Sequence, residues 1–324
     1  MKLFGAGSRL VGLLVSGAIV FVSLGCETPE LNRDDMVPEP VAVVSPEMLS
    51  YREMVSRYND RLIGIDLVSA RTDVEVVWRD ERGKVRRESG DGRLIVRRPL
   101  DTAVTVEAFG QMVMWAGSND RRYWFFTDLH RGGEAVHGRF GGAGIASLPM
   151  PVSPELIPVL LGLTPLPEDV PGADEPVEAM WGYALVETPG LGVRMLLDLE
   201  TAAPVRVDLL DANGASAVVC RLEGRQDIER PERDDLIVEG GMLVVPNMDP
   251  DGAVGKLMPA AAAPDAPLPM PETVTMFPVH DESRLTLKLK RVRLEDSSVK
   301  GRLFDLDTLI KHLRPDRVID LDAP

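Results

Sequence analysis

Residues 74–126, VEVVWRDERGKVRRESGDGRLIVRRPLDTAVTVEAFGQMVMWAGSNDRRYWFF, decide the fold. They read as four consecutive strands separated by short polar turns, with no helix between them. Val74, Val76 and Trp78 alternate with polar neighbours, and Gly83 follows in a turn that needs positive φ. Leu94 and Val96 alternate with Arg93 and Arg97 until Pro99, which cannot donate to a ladder. Val104 and Val106 alternate with Thr105 and Glu107, and Trp124 and Phe126 stand on the next run. Period-two alternation over several neighbouring runs means an antiparallel sheet with one apolar and one wet face. The rest of the chain must cover that apolar face or leave it open to something apolar.

Working outward, residues 1–25 read as an export signal: Lys2 and Arg9 precede the apolar run Leu10–Val22, which is too short to span a membrane comfortably. The end of this segment, Ser23-Leu24-Gly25-Cys26, resembles a bacterial lipoprotein signal, which implies that Cys26 becomes the lipidated first residue of the mature chain. Leu and Ser stand in the reverse of the commonest order there. The only other cysteine, Cys220, shares side-chain parity with Val218 and Leu222 and reads as a small buried residue. With 36 Lys plus Arg against 51 Asp plus Glu the net charge is −15, and removing Lys2 and Arg9 takes it to −17. Such a balance argues against nucleic acid and against adhesion to anionic headgroups.

Residues 26–44 are rich in Pro and acid and read as a flexible tether. Ser45-Pro46-Glu47 has the form of a helix start, followed by Met48, Tyr51, Val55, Tyr58 and Leu62 on one stripe. Ser153-Pro154-Glu155 opens a second, short apolar helix to Gly162, and the Gly-rich run 131–147 between the two reads as a mobile loop. Runs at 180–185 and 193–198 read as strands, and Asn213-Gly214 as a type I′ hairpin pairing Leu209 with Val218 and Val207 with Cys220. That register sets Arg206 opposite Arg221, which calls for a nearby acid. The expected domain runs over 45–228, is interrupted by a Pro/Ala/acid-rich insertion or linker at 229–271, and closes with strands in 272–324 that carry a bulge near Lys290 or Arg291.

No catalytic constellation is present. There is no nucleophile elbow, phosphate loop or dinucleotide fingerprint, and His130 and His137 belong to no metal-ligand pattern, so neither a metal nor a cofactor is expected. What remains is the apolar face. Trp78, Leu94, Val96, Val106, Met114, Trp124, Phe126 and Met195 are the side chains that parity assigns to it. They either fill a core or line a cavity for a flexible apolar ligand, to which Met and aliphatic groups adapt without requiring hydrogen bonds.

The order of these elements resembles the LolA/LolB family of periplasmic lipoprotein carriers and receptors. The likeness rests on the N-terminal helix, IGIDLVSARTDVEVVWRD, RLIVRRP, FGQMVMWAGSNDRRYWFF and the closing LTLKLKRVRLEDSSVKGRLFDLD. It implies a mainly β (α+β) fold, a curved antiparallel half-barrel whose concave face is covered by helices. It also implies a non-catalytic role in binding acyl chains or lipoproteins. An anchored member would stand at the periplasmic face of a bacterial membrane, the outer ahead of the inner, held there through Cys26. No exposed apolar loop tip is assignable from sequence. The alternative is an interaction or sensor module that reuses the fold to recruit an envelope protein partner.

Overall fold

A computed structural model describes residues 49–79, 83–127, 129, 133–140, 152–230, 237–239, 242–244, 258–259, 267–280, 282–295 and 301–322. The expected signal, tether and Cys26 lie outside them, as do the Ser45 helix start and most of the 131–147 run. Helix α1 is Tyr51–Asp60. The Ser50 hydroxyl accepts from the Glu53 amide while the Glu53 carboxylate accepts from the Ser50 amide, a reciprocal box that fixes the start five residues later than Ser45. Tyr51, Met54, Val55 and Tyr58 form the buried stripe, and Gly64, at φ 74, turns the chain into the sheet.

Six strands follow as a meander: β1 Leu67–Arg79, β2 Val85–Arg97, β3 Asp101–Ala108, β4 Gln111–Ser118, β5 Arg122–Thr127 and β6 Glu134–Arg139. The last of these takes part of the run expected as a loop. A 3-10 turn at Pro154–Leu156 leads into α2, Ile157–Leu160. Next come β7 Glu178–Met180, β8 Tyr183–Thr188, β9 Val193–Asp198, β10 Pro204–Leu210, β11 Ser216–Glu223 and β12 Gln226–Ile228. Short strands β13 Ile237–Glu239, β14 Met242–Val244 and β15 Met258–Pro259 pair only with one another. The chain then runs through β16 Leu268–Met270, β17 Thr273–Pro278, β18 Arg284–Glu295, a 3-10 turn Gly301–Phe304, α3 Leu306–Leu313 and β19 Arg317–Asp320.

These make one 14-stranded sheet ordered β19-β6-β5-β4-β3-β2-β1-β18-β17-β11-β10-β9-β8-β7, with a second pair β12-β16. Every pairing in the large sheet is antiparallel except β19 on β6, and the two edges do not meet, so the half-barrel stays open. Strand β1 is flanked by its sequence neighbour β2 on one side and by the distant β18 on the other, where Thr72 faces Leu289.

Local chemistry decides several details. Val207 faces Cys220 and Leu209 faces Val218, as the alternation requires. The turn is not the two-residue I′ form, however. Only Gly214 has positive φ, and the Asp211 carboxylate accepts from the amides of Asn213 and Ala215, giving a longer loop with a register shift after Leu209. The acid that relieves Arg206 opposite Arg221 is Asp208, which is buried and holds Arg206 through two bonds of 2.7 and 2.8 Å. The β18 bulge falls at Arg291, at φ 51. Trp181, expected inside a strand, instead sits at φ 53 in the β7–β8 turn. Leu268 and Met270, read as part of the insertion, are buried in the core as β16. The C-terminal run read as strands contains α3, capped by Asp305 and packed through Leu306 and Leu309.

Candidate functional site

Residues directly opposite one another on neighbouring strands share a face. One row runs Ala70, Leu94, Val104, Ala116, Phe125, and the next runs Val68, Val96, Thr102, Ser118, Tyr123. In the other half of the sheet Val186, Met195, Val207, Cys220, Met276 and Leu285 continue that face. Apart from Thr102 and Ser118, these side chains belong to one buried apolar cluster. Its other wall is Met54, Val55 and Tyr58 of α1 with Ile157, Leu160, Leu161 and Leu163 around α2. This inner face is the one that could receive an apolar ligand.

Hydrogen bonds and ion pairs tie the cover together. The Tyr58 hydroxyl donates to the Thr164 carbonyl at 2.9 Å. Asn59 grips Leu166 from both sides, Nδ2 donating to its carbonyl at 2.8 Å and Oδ1 accepting from its amide at 2.9 Å. The Tyr51 hydroxyl donates to the Pro167 carbonyl, and Arg52 pairs with Asp169 and Asp174. Toward the sheet the same cover presents almost only apolar side chains. Most of its polar bonds are internal, and those to the sheet are few: the Tyr51 hydroxyl lies 3.2 Å from Thr188 Oγ1, the Cys220 thiol donates to the Leu160 carbonyl, and Arg98 Nη1 donates to the Leu62 and Ile65 carbonyls. At the start of α2 the Glu155 carboxyl is pushed up by burial although the Ser153 hydroxyl donates to it.

The sequence-assigned residues divide between the two faces. Leu94, Val96, Val106 and Met195 are in the inner cluster, with Met114 packed half-buried against it. Trp78 has inner parity but is half-buried at the end of β1 and belongs to neither cluster. Trp124 and Phe126 are on the outer face, fully buried with Trp115 and Ala135 beneath Leu306 and Leu309 of α3. The inner residues of β5 are their neighbours Tyr123 and Phe125. The cause is α3: with both faces covered, Tyr123, Trp124, Phe125 and Phe126 are all buried, and hydrophobicity no longer reports which way each one points.

Two features escaped the sequence. The first is Arg61, just past α1, which is 8% exposed and donates to the Gly162 carbonyl from 101 residues away. Its guanidinium carbon lies 4.7 Å from the Tyr58 ring centroid, and burial pushes its pKa down. Arg61 and Leu161 border a cavity of about 90 Å³ shared with Asp198, Thr201, Leu222, Arg225 and Met270. Gly162 is required where the wall turns: its φ is +63, and a Cβ there would collide with the Pro204 ring.

The second is the rim of hairpins. Strand directions alternate along the sheet, so the β1–β2, β3–β4, β8–β9 and β17–β18 turns lie at one end. That end carries Val85, Phe109, Leu191 and Val279, four of the six exposed large hydrophobic residues described. Phe109 is fully exposed at φ 52, followed by Gly110 at φ 74, the two-residue I′ geometry. The start of α1 is at the same end, because the Tyr51 hydroxyl lies 3.2 Å from Thr188 Oγ1 at the end of β8. Among the described residues no helix is long and apolar enough to cross a membrane, and no group of three or more His, Cys, Asp or Glu could hold a metal ion.

The chain matches no family model and no curated protein. Among solved structures it is similar to a LolA superfamily protein from Nitrosomonas europaea, with a TM-score of 0.42 and 10% identity, covering 80% of this chain and 99% of that one. It is also similar to a DUF1329 family protein from Desulfovibrio piger, with a TM-score of 0.44 and 10% identity, covering 80% and 97%. A third likeness is to a putative outer membrane lipoprotein-sorting protein domain from Vibrio parahaemolyticus, with a TM-score of 0.40 and 10% identity over the same shares.

Proposed function

We propose that this protein is a non-catalytic, lipid-anchored protein of the bacterial envelope that takes an acyl chain, free or on a lipoprotein, between its sheet and its lid. The carrying observation is the pairing of an aliphatic and Met-lined inner face with a cover that meets it chiefly through apolar side chains. Ile157, Leu160, Leu161 and Leu163 now fill that space. Exposing four such side chains costs about 6–12 kcal/mol, and burying a fourteen-carbon chain returns about 11 kcal/mol at ~0.8 per methylene. The exchange is thus close to balanced, as a reversible carrier requires.

Orientation is supported by the hairpin rim. A chain anchored at Cys26 enters the domain at the end that carries Phe109, Leu191 and Val279. About 23 residues separate Cys26 from Leu49, and at up to ~3.5 Å each they reach roughly 80 Å, enough for the rim to rest on the bilayer.

Native mass spectrometry of the Cys26→Ser protein, purified without detergent and then offered dodecanoate, tests the reading. Retained or acquired acyl mass that is lost on denaturation is the expected result. A protein that stays empty at every ligand concentration below micelle formation refutes it.

A further inference from the structure

Arg61 is the one arginine that is buried among the described residues. It is nine-tenths buried, forms no ion pair within reach among them, and its Nε has no hydrogen-bond partner. Its Nη2 is spent on a carbonyl, and its other close neighbour is the neutral Tyr58. A guanidinium stays protonated under these conditions, so the fold carries a buried cation that no carboxylate neutralises. Arg98 and Arg230 lie near enough to add to the positive potential. Such an arrangement persists only where something else offsets it.

The cavity beside it has suitable dimensions and lining. A single water needs ~10–15 Å³ on the same measure, so about 90 Å³ holds several heavy atoms. Arg225, from the turn after β11, also lines the space, and its Nε is paired with Asp227 at 2.9 Å. Asp198 also lines the space. Its Oδ1 accepts from the amides of Glu200 and Thr201 and from the Thr201 hydroxyl, so much of its charge is engaged by its own turn. Leu161, Leu222 and Met270 form the apolar side, and all three continue into the inner-face core.

We infer that this cavity binds an oxyanion, a carboxylate or phosphate group, between Arg61 and Arg225. The group is either the anionic end of an amphiphile whose apolar part follows Leu161 toward the lid or the same group free in solution. In the first case the inference rests on the acyl-binding reading and places the two ends of the ligand.

Isothermal titration of the Cys26→Ser protein with dodecanoate, dodecanol, acetate and inorganic phosphate separates the two ideas. Dodecanoate is expected to bind about tenfold or more tighter than dodecanol, the worth of one charge-assisted contact. Arg225→Gln should remove that preference and leave dodecanol unchanged. Asp198→Asn keeps the turn's acceptor while deleting a negative charge, and should tighten dodecanoate. Arg61→Met repeats the test at the buried position, with its melting curve reporting whether it folds. If both amphiphiles bind equally, and Arg225→Gln and Asp198→Asn change neither, the oxyanion site is refuted while acyl binding stands. If neither amphiphile binds but acetate or phosphate does, and Arg225→Gln abolishes it, the site stands and acyl capture fails. Binding of none of the four overturns both.

Discussion

Replacing Phe109 by Asn should make the protein more stable and worse at touching membranes. Phe109 occupies a left-handed position at φ 52, where an ordinary side chain costs about 1–2 kcal/mol and Asn costs less. Its ring is fully exposed, so the substitution forfeits no packing within the chain. The expected gain is therefore about 0.5–1 kcal/mol, read as a higher urea midpoint with an unchanged slope. At a bilayer surface the same ring would bury, and losing it should cost about 1.5–3 kcal/mol, or roughly a ten- to hundredfold drop in partitioning. The assay is co-sedimentation of the Cys26→Ser protein with zwitterionic vesicles, which avoids repulsion between the acidic chain and anionic lipid. Equal sedimentation of parent and variant would refute the membrane-facing rim. A lower urea midpoint would refute the claim that Phe109 is held there against its own conformational preference.

Two further outcomes follow from the packing. Leu309→Ala removes a 3%-exposed side chain from the outer cluster and should cost about 2–4 kcal/mol in chemical denaturation. It should also alter the near-ultraviolet signal of Trp124 and leave dodecanoate uptake intact, whereas loss of uptake would show that the outer face serves the ligand after all. Cys220 is wholly buried, with Sγ donating to the Leu160 carbonyl at 3.4 Å, and burial pushes its thiol far above the ordinary range. A maleimide should therefore leave Cys220 unmodified in the native Cys26→Ser protein and label it within minutes in denaturant; rapid native labelling would mean the lid opens over α2 far more often than its apolar contacts imply.

Alternation and turn chemistry made the meander legible, and pairings such as Val207 with Cys220 follow from parity alone. Parity gives two faces without saying which one is inner, and β5 shows the limit. Its outer face is covered by α3, whose own periodicity, Leu306, Leu309, Ile310 and Leu313 behind an Asp305 cap, was readable but lay in a stretch taken for strands. Phe109-Gly110 was legible in principle as a hairpin turn, since a residue before Gly between two alternating runs invites I′ geometry. Arg61 was not. Its acceptor Gly162 and its cavity neighbour Arg225 stand 101 and 164 positions away, and no local pattern marks a charge that the fold will bury.

The position of β1 between β2 and β18 also bears on how the chain reaches its native state. Asp73 and Lys290, joined across that seam, are 217 residues apart. One edge of β1 therefore stays unpaired until almost the whole chain has arrived, and loop closure across such a span is slow. For a chain that emerges from its N-terminus, the first strand out is among the last to be sealed. Through that interval it offers thirteen residues of open backbone to any passing strand. The yield of folded protein should therefore depend on how that edge fares until β18 emerges more than on the stability of the finished sheet.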